Sequence, residues 1–190
     1  MDSIGGVMRT CVQNRRGVVA GGGRSSGFSL VELMITIVVL AVIMAISAPS
    51  FTGVFNSNRL TSRANELVAS LQMARSEALR RNAAIRVCRS EDGATCAGAI
   101  GAWNSWITID SGDAVLRQDS VKAPVELTSD VHTISFRGDG VARAAGGGLL
   151  DAEFTACIPT TRPSDNQRLI EMGLGGRVSI SSQNGGGECP

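Results

Sequence analysis

Gly27-Phe28-Ser29-Leu30-Val31-Glu32-Leu33-Met34 opens an apolar run that continues to Ala48. From Phe28 to Ala48 there are 21 residues and a single charge, Glu32. At about 1.5 Å per residue, a helix over this run reaches about 30 Å, the hydrocarbon thickness of a bilayer. Upstream lies a segment rich in Gly, Ser and Arg, with Arg9, Arg15, Arg16 and Arg24 and no apolar periodicity. Basic residues ahead of a span hold the amino terminus in the cytoplasm and send the remainder outward. A secretory signal peptide has its small-residue cleavage site behind the apolar region, and no such site follows Ala48, so the run is expected to persist in the mature chain. A carboxylate at membrane depth costs about 3 kcal/mol, so Glu32 requires a partner there.

This string resembles the processing site of type IV pilins and type II secretion pseudopilins. The resemblance implies cleavage between Gly27 and Phe28 by a membrane-embedded prepilin peptidase, methylation of the new amino terminus at Phe28, and Glu32 as the fifth residue of the mature chain. The amine created at Phe28 is then the cation available to Glu32. Pairing between Glu32 of one subunit and the Phe28 amine of its neighbour would set axial register as apolar helices bundle into a filament.

Composition fits a small anchored domain. The whole chain of 190 residues has a formal charge of +1, but residues 1–27 hold 4 of the 18 basic and 1 of the 17 acidic groups. The mature part carries 14 against 16, a net negative balance that makes no bulk-electrostatic case for nucleic acid. Cys11 lies in the leader, where Met8 is an alternative start to Met1. Cys88, Cys96, Cys157 and Cys189 fall in the part expected outside the cytoplasm, where disulfides persist. Four cysteines allow three pairings. Cys88 with Cys96 and Cys157 with Cys189 is the favoured set, one closing a short Asp-Gly loop and the other tying the tail to a strand. No Cys-x-x-Cys occurs and His132 is distant from every cysteine in sequence, so neither a metal nor another cofactor is expected.

Pro49 and Gly53 are expected to bend or loosen the helix below the span. Leu60, Ala64, Leu67, Leu71, Ala74 and Ala78 then recur at steps of three and four, the mark of one apolar helical stripe, which Val68 and Leu79 widen. Glu77 and Arg81 form an i, i+4 pair on the wet face. Beyond Asn82 the period breaks, and short strand-like runs follow at 84–88, 106–110, 114–118, 125–127, 133–136, 141–143, 153–158, 168–172 and 177–180, joined by Gly-, Asp- and Ser-rich turns. The expected architecture is α+β: a long amino-terminal helix, membrane span plus amphipathic half, packed on antiparallel sheets. The expected boundaries are 1–27 for a cleaved leader, 28–48 for the span and filament core, 49–82 for the amphipathic continuation and 83–190 for a periplasmic β-rich domain.

The string Ser76-Glu77-Ala78-Leu79-Arg80-Arg81-Asn82 running into Val87-Cys88, then Asp92-Gly93, Cys96, Trp103 and Trp106, resembles the GspH/FimT family of minor pilins and pseudopilins, as do Arg168-Leu169-Ile170 and Gly176-Arg177-Val178. The resemblance implies a pilin-like fold and a low-abundance subunit that primes or caps a type IV pilus. The alternative it leaves is a minor pseudopilin of a type II secretion system. The partners so implied are prepilin peptidase, other pilins or pseudopilins and inner-membrane lipid. Some relatives take up DNA through a Gly-Arg-x-Arg stretch. Here that stretch is Gly176-Arg177-Val178-Ser179, with the second arginine replaced, so a DNA-binding pilin is a second alternative resting on Arg177, with Arg162 and Arg168 as neighbours the fold must place. Arg137-Gly138-Asp139 spells an adhesion tripeptide but reads better as a hairpin turn. No nucleophile constellation, phosphate-cradling loop or acid pair is present, and no enzymatic activity is expected.

Overall fold

The structure, a computed structural model, describes residues 27–190, apart from the side chains of 46–50 within the first helix. The leader, with Met8, Cys11 and its four arginines, lies outside the described residues. The described chain divides into two compact units, residues 27–42 in the first and 43–190 in the second.

In the first unit residues 27–29 are not helical and α1 (Leu30–Arg81) begins. Ser29 starts the ladder, its carbonyl accepting the Leu33 amide at 3.1 Å. The Ser29-x-x-Glu32 spacing is that of a capping box, and Glu32 lies in the first turn, where the helix dipole favours a negative charge. The large apolar side chains from Leu30 to Val42 are all more than half exposed. Among the described residues no helix is long and apolar enough to cross a membrane. The expected span of 28–48 ends in residues whose side chains lie outside that set. Helical backbone continues through Pro49, whose missing N–H leaves one rung of the ladder open.

In the second unit α1 continues to Arg81 and stops where Asn82 takes a positive φ of 49°. The six stripe residues from Leu60 to Ala78 are each 0–1% exposed. Val68 packs at the edge of that core, but Leu79 is exposed and does not widen the stripe. Glu77 accepts from both Arg80 and Arg81 at 2.7 Å, one turn ahead of the helix end.

Nine strands follow: β1 (Ile85–Arg89), β2 (Ser105–Ile109), β3 (Val115–Ser120), β4 (Glu126–Ser129), β5 (Thr133–Phe136), β6 (Ala142–Arg143), β7 (Ala152–Cys157), β8 (Gln167–Met172) and β9 (Val178–Gln183). They form two antiparallel sheets, ordered β3-β2-β1-β5-β6 and β4-β7-β8-β9. The chain leaves the first sheet after β3 to place β4 against β7, returns for β5 and β6, then completes the second sheet. Ile85 and Val87, Ile134 and Phe136, Phe154 and Ala156, and Ile170 and Met172 join the helix stripe in one core. Trp103 and Phe154 meet edge to face there, centroids 5.0 Å apart, and the Trp103 indole N–H donates to the Val131 carbonyl at 2.8 Å.

The reverse face of the first sheet follows from the same alternation. Cys88, Ile107 and Ile109 point away from the main core and form a second apolar cluster, which Cys96 covers. The Cys88–Cys96 disulfide, Cα atoms 5.5 Å apart, pins the loop over that cluster. Asp92 organises the same loop by accepting the Thr95 and Ala94 amides, both at 2.8 Å. The second disulfide, Cys157–Cys189, holds the carboxyl-terminal tail with help from Asn166. That buried amide donates to the Ile158 and Glu188 carbonyls and accepts from the Gly185 N–H at 2.8 Å. Gly185 lies so close to the Gln167 side chain that any Cβ would collide with it.

Candidate functional site

The features with the strongest functional content lie at the start of α1. Among the described residues no atom beyond the chain neighbours of Gly27 lies within 4 Å of where a Cβ would stand, and Phe28 is 80% exposed, so the Gly27–Phe28 bond sits on non-helical chain ahead of the ladder. Glu32 follows Phe28 by four residues, about one helical turn, on a segment apolar around its whole circumference. A helix with apolar side chains on every side must be covered by lipid or by other helices. The arrangement therefore combines an exposed backbone bond, an apolar rod that needs cover and one charge near the start of that rod.

The second unit supplies a rigid head. Helix and first sheet are joined by a polar tie, where the Ser70 hydroxyl donates to Asp119 at 2.8 Å and Arg117 grips the same carboxylate. Burial pushes the Asp119 carboxyl up, but the Arg117 and Ser70 hydrogen bonds outweigh it and leave a net lowering. Hydrogen bonds from Arg80 and then Arg81 hold Glu77 down to about 2 from an ordinary 4.5. Asp92 is lowered by the Thr95 and Ala94 amides, and Asp139 by the Val141 amide and Arg143. A carboxylate depressed on folding contributes stability above its unfolded pKa and loses it as pH falls through the folded one. The folded head is therefore expected to be stable down to about pH 4.5 and to weaken progressively toward pH 2, an acid titration followed by tryptophan fluorescence being the check.

The arginines named for nucleic acid do not gather. Arg177 lies in the exposed turn between β8 and β9, beside Arg75, whose guanidinium donates to the Gly176 carbonyl at 3.2 Å. Arg168 shares the inward parity of Ile170 and Met172 and is 7% exposed. Its guanidinium donates to Ser57 at 2.9 Å and to the Asp165 and Gln167 carbonyls, tying β8 to α1. Arg162 offers its carbonyl to Asn56 at 3.0 Å. Sequence reasoning left the Arg168 role open because residues 57 and 168 meet only through tertiary packing. In the adhesion-like tripeptide, Asp139 accepts from the Val141 amide and from Arg143 at 2.9 Å, so it caps a turn. His132 precedes β5 and is half-buried, its carbonyl accepting from the Arg89 amide. Among the described residues no group of three His, Cys, Asp or Glu side chains could hold a metal ion.

The family model described as type II transport protein GspH matches residues 63–182, nearly two thirds of the sequence. The chain belongs to the GspH family. A second model, the prokaryotic N-terminal methylation motif, matches residues 23–48 and so includes Gly27, Phe28 and Glu32. The fold of this GspH-family chain is similar to that of the type IV minor pilin FimU of Pseudomonas aeruginosa, at 25% identity and a TM-score of 0.51, over 66% of this chain and 90% of that one. It also aligns with the minor pseudopilin EpsH from the type 2 secretion system of Vibrio cholerae at 9% identity and a TM-score of 0.47, over 65% of this chain and 97% of that one. No curated protein matches the chain. Pilins and pseudopilins are structural components and not enzymes, and the methylation motif marks a substrate of prepilin peptidase.

Proposed function

We propose that this GspH-family chain is a minor subunit of a type IV pilus that helps prime or cap filament assembly. In this reading prepilin peptidase cuts after Gly27 on the cytoplasmic side and Phe28 is methylated. The segment from Phe28 to Ala48 anchors the subunit in the inner membrane, with the β-rich head in the periplasm, until other pilins draw it into the filament. The observation that carries the reading is Glu32, one turn behind the Gly27–Phe28 bond and the single charge from Phe28 to Ala48, with the methylation motif matched over residues 23–48. The likeness to a minor pilin, at 25% identity and a TM-score of 0.51, supports the pilus reading.

Deletion of the gene separates the two roles. Loss of surface pili and twitching with normal protein secretion supports the pilus reading. Normal piliation with retention of secreted enzymes in the periplasm identifies a type II secretion subunit instead.

A further inference from the structure

Outside the segment used for processing, the reverse face of the first sheet carries a cleft with a distinct chemistry. Register places Arg86, Ser135 and Arg143 side by side across β1, β5 and β6. Thr133 extends the same face, with Arg137 and His132 at the two ends of β5. One wall is the loop around Cys96, pinned by its disulfide, and the other is the Gly-rich turn 144–147. The open cleft between them has a volume of about 390 Å³.

Its charge is not balanced from within. Arg86 pairs with Asp113, and Arg143 pairs with Asp139 at 2.9 Å, but neither carboxylate lines the cleft. Among the described residues Arg137 has no ion pair and no side-chain hydrogen bond, and the Arg143 Nε is buried without an acceptor. An unmet buried donor is costly and calls for an acceptor. Gly147, at φ +85°, brings its turn against Arg137, where a Cβ would stand 3.4 Å from a guanidinium nitrogen. The Ala and Gly walls leave room for another chain's backbone to enter.

We propose that this cleft docks a carboxylate-bearing segment of a partner protein, an acidic peptide stretch held by the unpaired Arg137, with Ser135 and the positive field of Arg143 beside it. A guanidinium matches a carboxylate as a planar, two-pronged donor. Nucleic acid fits less well. No aromatic side chain lines the cleft to stack a base, and the second sheet's outer face carries Glu153 opposite Glu171, which repels an extended phosphate backbone. The proposal stands on the cleft alone and does not depend on which filament the subunit joins.

The test uses the full mature chain in a zwitterionic detergent, with a fluorescein-labelled hexaglutamate peptide followed by anisotropy at low salt. Wild-type protein is expected to bind, Arg137→Ala to weaken binding about tenfold, and Arg177→Ala to leave it unchanged. Among the described residues Arg137 makes no ion pair or side-chain hydrogen bond that its removal would break, and an unchanged urea midpoint for Arg137→Ala separates loss of binding from loss of fold. No binding by wild type, equal binding by Arg137→Ala, or tighter Arg137-dependent binding of an oligothymidylate would each overturn the proposal.

Discussion

Replacing Cys157 and Cys189 together by serine is expected to lower the unfolding free energy of the head by about 4 kcal/mol. The bridge joins residues separated by 32 positions, and the chain entropy removed from the unfolded state grows with the logarithm of that loop. The Cys88–Cys96 bridge closes a separation of only 8, for which the same reasoning gives about 2.5 kcal/mol. The order of the two effects is therefore fixed by loop length. Local structure adds to the difference, because the tail beyond β9 rests on Asn166, Gln167 and the disulfide, with the Glu188 carbonyl accepting from both amides. Urea titration read through Trp103 and Trp106, both buried in the core, measures each loss. A loss below about 1 kcal/mol for the longer bridge would show that the tail is held by its hydrogen bonds alone.

Glu32→Ala is expected to leave cleavage intact and to reduce recovery in filaments about a hundredfold. The figure follows from stranding the Phe28 amine of a neighbouring subunit among apolar helices, a cost of about 3 kcal/mol. Glu32→Asp keeps the charge with a shorter reach and should recover part of the loss. The measurement is the ratio of subunit in sheared filaments to subunit in membranes, normalised to the processed form. Equal recovery of wild type and Glu32→Ala would remove the pairing role and leave Glu32 as a helix cap, for which its first-turn position already suits it.

Much of this architecture is legible in the sequence, for identifiable reasons. The stripe from Leu60 to Ala78 is read from spacing because one helix face meets one core, and burial of all six residues agrees. The strand-like runs fall within a residue or two of β1 to β8 because Gly-, Asp- and Ser-rich turns separate them. The β9 strand runs on to Gln183, through polar residues that show no apolar alternation. Which sheet each strand joins is not written locally. β4 lies between β3 and β5 in the chain yet pairs with β7, a choice made by the burial of Leu127 with Phe154 and Ala156.

Side-chain roles that depend on two distant segments were also hidden. Leu79 continues the stripe by spacing, but it stands exposed beside Arg75 and Gly140 at the end of α1. Arg168 stands in the sequence only as a strand residue and a neighbour of Arg177 for the fold to place. Its parity with Ile170 turns it inward to Ser57. The cationic cleft needs three strands in register and two loops, and none of its arginines is near the others in sequence except Arg137 and Arg143.

The central claim is that the apolar amino-terminal rod is released from its leader and kept. Intact-mass and peptide mass spectrometry of the protein from membranes of cells with active prepilin peptidase tests it most directly. The expected chain begins at Phe28 with one added methyl group and carries two cystines joining Cys88 to Cys96 and Cys157 to Cys189. A chain that still begins at its initiator methionine under those conditions would contradict it.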